Sequence, residues 1–184
     1  MVCIPGGMNR IGHTTSRLMQ LASALMIAFA EVKAEETTRP QRRIVVSLAD
    51  RKLGLFEGDL LVKTYDVAVG KPSTPSPEGE FSIISRIVKP TWYGPDKVVG
   101  PGKTNPVGTR WIGLSEKGYG IHGTNVPSSI GKAASHGCIR MRNGDVEELF
   151  ELIDIGVSVE LSAGHADWLT PASPTLVAAA FQVQ

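Results

Sequence analysis

Several common features are scarce in this chain or missing from it. Cysteine occurs at only two of 184 positions, Cys3 and Cys138, and no CxxC or HExxH spacing is present. The strong zinc patterns are therefore missing. Charge of one sign is missing too: 19 basic residues face 18 acidic ones for a net +1, with no basic stripe and no acidic block. Nothing in that balance favours nucleic acid as a partner. There is no internal repeat. The apolar stretch from Leu18 to Ala30 falls short of the ~18–20 residues a membrane span needs. What remains is ordinary globular material, 42% hydrophobic, at a length that suits one domain with one core.

The N-terminal segment reads as an address. Arg10 and Arg17 precede the stretch Leu18 to Ala30, and the small-x-small sites Ala28-Phe29-Ala30 and Val32-Lys33-Ala34 follow it. Residues 1–34 are expected to be an export signal, with a buried helix or an uncleaved anchor as the alternatives. Residues 35–42, polar and holding Pro40, read as a linker. The expected location is the periplasm or cell envelope, without a stable membrane span in the mature form. Cleavage would remove Cys3 and leave Cys138 as a lone thiol in an oxidising compartment. A thiol there is a liability unless its chemistry is used.

From Arg43 onward short β-branched and apolar runs alternate with turns every 8–12 residues or so. Ile44-Val45-Val46, Leu53-Gly54-Leu55-Phe56 and Leu60 to Val69 come first. A proline-rich turn at residues 71–79 precedes the strand Phe81 to Lys89. Residues 94–108 are dense in glycine and proline and suit a lid or binding loop, with Trp92, Tyr93 and Trp111 beside them. Arg110 to Leu114 and Tyr119 to His122 read as paired strands. After a short strand at Cys138 to Met141 comes the clearest helix, with Asn143 as its cap and Val146, Leu149, Phe150 and Ile153 on its apolar face. Val157 to Leu161 closes the domain. The pattern predicts a mainly β, sandwich-like or barrel-like catalytic domain over 43–162 with one clear helix, then a tail over 163–184.

The chemistry concentrates in Ser135-His136-Gly137-Cys138-Ile139-Arg140-Met141 and in Gly120-Ile121-His122-Gly123-Thr124-Asn125. Imidazole can take the thiol proton and later return it, which is the minimum kit for a cysteine nucleophile. His136 lies two residues from Cys138 and shares its side if a strand extends that far back. His122 reaches it if it sits on the neighbouring strand. The residues alone leave both open. Gly137 permits a sharp turn whose amides, with that of Cys138, point at an oxyanion. Arg140 is placed to grip a substrate carboxylate or to pair with an internal one. A zinc site on His122, His136 and Cys138 is the rival from another chemical class. A wall-binding module without turnover is the rival that is not an enzyme.

On these motifs the sequence resembles the L,D-transpeptidase catalytic domain family, also called the YkuD domain. The turn Thr74-Pro75-Ser76-Pro77-Glu78-Gly79-Glu80-Phe81 and the run Asn105-Pro106-Val107-Gly108 leading to Trp111 support the resemblance, which covers roughly Arg43 to Leu161. It implies a β-sandwich-like fold with the helix after the strand that carries the cysteine. It implies Cys138 as nucleophile and His122 as general base, oriented by the Gly123 carbonyl. His136 and Gly137 would shape the oxyanion hole; Arg140, Ser135 and Trp92 are the candidate substrate contacts. The implied partners are peptidoglycan stem peptides, a donor tetrapeptide and an acceptor amine, joined as 3→3 crosslinks without cofactor or metal. Carbapenems would acylate the thiol. An L,D-carboxypeptidase, a crosslink hydrolase and a lipoprotein-attaching enzyme differ from this only in the acceptor.

Overall fold

The computed structural model describes residues 41–169. The expected export signal, most of the linker and the residues beyond 169 lie outside that span. Among the described residues no helix is long and apolar enough to cross a membrane.

The chain is mainly β, as its alternation predicts. Strands β1 (Arg42–Ser47), β2 (Lys52–Glu57) and β3 (Leu60–Asp66) form a meander. The short β4 (Val69–Gly70) precedes the proline turn, and β5 (Gly79–Val88) follows it. Next come β6 (Trp92–Tyr93) and β7 (Val98–Val99), then β8 (Arg110–Leu114) and β9 (Gly120–His122). After these lie β10 (Ala133–Ser135) and β11 (Ile139–Arg140). Helix α1 (Asn143–Leu152) and β12 (Ser158–Ser162) end the series.

Eight strands make one sheet in the order β11-β9-β8-β5-β12-β1-β2-β3. The ten-residue β5 belongs to both halves of it. Its first part pairs with β12 over residues 79–82 and its second with β8 over 83–88, with a register shift between Ile83 and Ser85. A bulge in a shared strand is how a sheet bends across a core and becomes sandwich-like. That core holds Ile44, Val46, Leu53, Leu55, Ile83, Ile112, Ile121, Ile139 and Leu161, each at most 2% exposed. Helix α1 covers one side with Val146, Leu149 and Phe150 and packs on β8 and β9.

Three expectations need adjustment. Asn143 does not cap α1; Arg142 holds that position, with no side-chain cap bond. Position 42, read as linker, is the first residue of β1. Residues 163–169, read as tail, are fastened to the sheet. Asp50 accepts hydrogen bonds from Ser47 Oγ at 2.9 Å and from the Ala166 amide at 2.7 Å, pairs with His165 at 2.7 Å, and Trp168 meets Phe56 edge-on. These bonds hold the Asp50 carboxyl down at about 2, the Ala166 amide contributing most.

Candidate active site

The β8–β9 hairpin places the first imidazole. Trp111 pairs in register with His122, and the two rings stack with centroids 5.5 Å apart and planes 18° apart. His122 is 5% exposed. Its Nδ1 lies 2.6 Å from the Gly123 carbonyl. A carbonyl only accepts, so Nδ1 carries the proton and Nε2 keeps its lone pair. Burial is the main cause that drives the ring's pKa down to about 4; the Arg140 charge adds to the fall and the Gly123 bond opposes it. The ring is therefore neutral at neutral pH.

The thiol sits one residue outside β11. That strand is only two residues long, parallel to β9, with Arg140 opposite His122. On its other side Ala68 and Arg140 exchange both backbone hydrogen bonds at 2.8 Å. Cys138 thus stands at the mouth of a strand clamped from both sides. It is partly buried, and Sγ donates to the Gly118 carbonyl at 3.7 Å. Burial pushes the thiol pKa up, against smaller lowering effects from the Gly120 backbone and Arg140.

Gly137 has φ +110°, a conformation open to glycine. A Cβ there would stand 2.6 Å from the Tyr119 ring. This kink ends the strand alternation before it reaches His136, so the two-residue spacing does not put His136 and Cys138 on one strand face. His136 is exposed, its Nε2 3.4 Å from Lys71 Nζ. The kink also changes two other expectations. The Gly137 amide, read as an oxyanion donor, donates to Ser135 Oγ at 3.0 Å. The Ser135 hydroxyl, read as a substrate contact, donates to the Cys138 carbonyl at 2.6 Å. Ser135 is fully buried and ties the turn together. The proline turn supports it from outside, Lys71 N–H and Thr74 Oγ1 both donating to the Ser135 carbonyl.

One cavity of about 580 Å³ gathers the predicted side chains. Cys138, His122, His136, Ser135, Arg140 and Trp92 all line it, together with Trp111 and Gly118. Its apolar wall is Ile87, Pro90, Thr91, Tyr93, Pro106 and Val107. Gly123 acts from behind His122. Arg140 is partly exposed; among the described residues no ion pair or side-chain hydrogen bond satisfies it, and its Nε is buried without a partner there. Among the described residues no three His, Cys, Asp or Glu side chains are grouped to hold a metal ion.

Sequence reasoning missed Asn143 in its true role and the stacking of Trp111 on His122. Asn143 Oδ1 accepts from the Thr109 amide at 3.3 Å and the Thr124 amide at 3.1 Å, holding the segments on either side of Gly108 and Gly123. A Cβ on either glycine would stand 2.2 Å from that oxygen. The stack was accessible in principle: a hairpin around the turn at 115–118 sets Trp111 across from His122.

A mainly β domain that sets a thiol, a buried neutral imidazole and a guanidinium on one cavity holds the groups that cysteine acyl transfer uses. The YkuD family model, described as the L,D-transpeptidase catalytic domain, matches residues 41–161, and this chain belongs to that family. The YkuD protein of Bacillus licheniformis is 49% identical over 120 residues, 65% of this chain. The matched segment likewise spans 65% of that relative's own length. The catalytic domain of an E. faecium L,D-transpeptidase, solved by NMR, is 26% identical with a TM-score of 0.53, covering 67% of this chain and 98% of that one. An L,D-transpeptidase solved in complex with imipenem shares the fold at 18% identity, with a TM-score of 0.57 over 66% of this chain and 58% of that one.

Proposed function

We propose that this chain is a peptidoglycan L,D-transpeptidase that forms 3→3 crosslinks through a Cys138 thioester, outside the cytoplasm. The observation that carries the reading is a thiol and a neutral imidazole with a fixed tautomer on one cavity. His122 Nε2 takes the Cys138 proton as sulfur attacks the carbonyl of the L-centre residue in a tetrapeptide stem. The Cys138 amide steadies the oxyanion, because the Gly137 amide is already engaged. The imidazolium returns its proton to the departing D-alanine amine, and a thioester remains. An amine of a second stem then attacks that thioester, His122 removes the amine's proton, and the thiol is regenerated. The unpaired Arg140 supplies a carboxylate grip within the cavity, and Trp92 supplies a wall. Since burial disfavours the thiolate and the imidazolium alike, the resting pair is neutral.

Tetrapeptide-containing muropeptides incubated with the enzyme are expected to yield crosslinked dimers by mass spectrometry. Tripeptides alone would assign the L,D-carboxypeptidase activity instead, with water as acceptor. Imipenem is expected to add to the protein at Cys138, with no adduct on Cys138→Ala. His122→Ala should slow acylation by ~10²–10⁴-fold, the usual contribution of a general base. If His136→Ala abolishes acylation while His122→Ala scarcely changes it, the assignment of the base is reversed. No adduct and no product from any stem would favour a wall-binding module.

A further inference from the structure

The run Asn105-Pro106-Val107-Gly108 has no part in the chemistry above, yet it contains one of the most completely satisfied polar side chains in the domain. Asn105 is 0% exposed. Its Nδ2 lies 2.8 Å from the Pro90 carbonyl, 3.0 Å from that of Gly100 and 3.2 Å from that of Val99. Its Oδ1 accepts from the Val107 amide at 2.9 Å. Its backbone closes the same loop, the amide donating to Gly102 and the carbonyl accepting from Gly108, each at 3.1 Å.

These partners have a common geography. Pro90 leads directly into β6, and Val99 and Gly100 leave β7, so two of the bonded segments are the feet of the β6–β7 hairpin. Val107 is the third, and it lines the same cavity. The hairpin brings Trp92 and Tyr93 to that cavity on a short ladder: β6 and β7 pair over two residues each, and Tyr93 and Val98 are 77% and 63% exposed. A two-residue ladder is too short to hold itself in water. The buried carboxamide supplies what the ladder lacks. It is costlier to break than a surface bond, because its loss orphans the buried Pro90 carbonyl.

We infer that Asn105 is a positioning residue that fastens the Trp92–Tyr93 hairpin as a preset wall of the donor site, so that its carboxamide sets donor affinity and leaves the reactivity of the Cys138 sulfur untouched. The inference rests on the transpeptidase reading for its substrate and on the hydrogen bonds alone for the fastening. Preset walls bind without an ordering cost at the moment of encounter. A wall that touches ground state and transition state alike changes KM rather than kcat.

The test uses the full chain, wild type against Asn105→Ala and Asn105→Asp. The aspartate keeps the acceptor for Val107 and turns a negative charge on three carbonyls. In both variants, amide hydrogen exchange over residues 91–100 is expected to accelerate while exchange in β1, β12 and α1 stays near wild type. Alkylation of Cys138 by iodoacetamide, too small to need the wall, should keep its wild-type rate. KM for the tetrapeptide donor should rise about 10-fold or more with kcat held within about threefold, the pattern of lost uniform binding. Unchanged exchange over 91–100 would overturn the fastening. A loss of kcat at constant KM, or a parallel fall in alkylation, would overturn the affinity role, because either means that the sulfur itself has moved. A wild-type enzyme without turnover would strike the transpeptidase reading instead, and the exchange measurement would still judge the fastening.

Discussion

Burial keeps His122 uncharged, as the base proposed above must be. Its ring lies under Trp111 and gives Nδ1–H to Gly123, so the remaining nitrogen is the one able to receive a proton. The same burial carries a stability consequence. The unfolded ring titrates near 6.5 and the folded one near 4. Between these values the unfolded chain binds more protons, so stability rises with pH across that window and is complete above it. The span corresponds to roughly 3 kcal/mol. Acylation by imipenem should hold a plateau at neutral pH and fall as pH drops through about 4, where the ring protonates. Cys138 alkylation by iodoacetamide should keep climbing beyond neutral pH, since the thiol pKa is raised. Stopped-flow profiles of both reactions check the pair. An alkylation rate already flat below neutrality would mean a preformed thiolate and would end the neutral-pair mechanism.

At the scale of elements, the site is a meeting of very short pieces. Helix α1 contributes its first residue rather than its dipole: Asn143 Oδ1 accepts two loop amides, from Thr109 and Thr124. Asn143→Ala leaves both amides unsatisfied at a cost of about 2–6 kcal/mol. It should also slow acylation, because the His122-Gly123 backbone adjoins the freed segment. Asn143→Asp keeps the accepting oxygen and places a negative charge at the helix N-terminus, where it is tolerated, so its urea midpoint should stay close to wild type. Equal losses in both variants would show that the oxygen is not the working group. Much of this was legible in the sequence. The β8–β9 pairing followed from two apolar runs around a turn, and the short strand expected at Cys138 to Met141 is found at Ile139–Arg140. The gathering of Cys138, His122, Arg140 and Trp92 on one cavity was expected from the motifs. What escaped was set by non-local backbone geometry. The sharp turn at Gly137 was expected, but not its effect: it redirects His136 and engages the Gly137 amide and the Ser135 hydroxyl, and no periodicity encodes the direction of a φ of +110°. Asn143 looked like a cap because asparagine before an apolar helical repeat usually is one. Only the approach of Gly108 and Gly123 in space gives its oxygen a different use.

For the whole molecule, sequence order and spatial order disagree in an informative way. The last of the described strands, β12, lies in the middle of the sheet, parallel to β1 and antiparallel to β5. Within the eight-stranded sheet the half that bears the thiol (β5-β8-β9-β11) joins the half built first (β1-β2-β3) through β12, while Ala68 and Arg140 bond the segment just after β3 to β11. Pairing residues this far apart carries a large loop-closure cost that is recovered only when the final strand docks. A chain stopped after Gly156 would lose Val159 and Leu161 from the core, each 1–2% exposed in the fold. At about 1.5–3 kcal/mol per buried side chain, and with a ladder stripped from each half, that loss approaches the whole stability of a typical domain. Such a truncation should show neither a cooperative urea transition nor an imipenem adduct. A chain of residues 41–169 keeps every described strand and the Asp50 fastening of residues 163–169. It should unfold in one step and acquire the adduct at Cys138 at the rate of the full chain. If the chain ending at Gly156 still unfolds cooperatively and accepts imipenem, β12 is dispensable and the site half stands on its own.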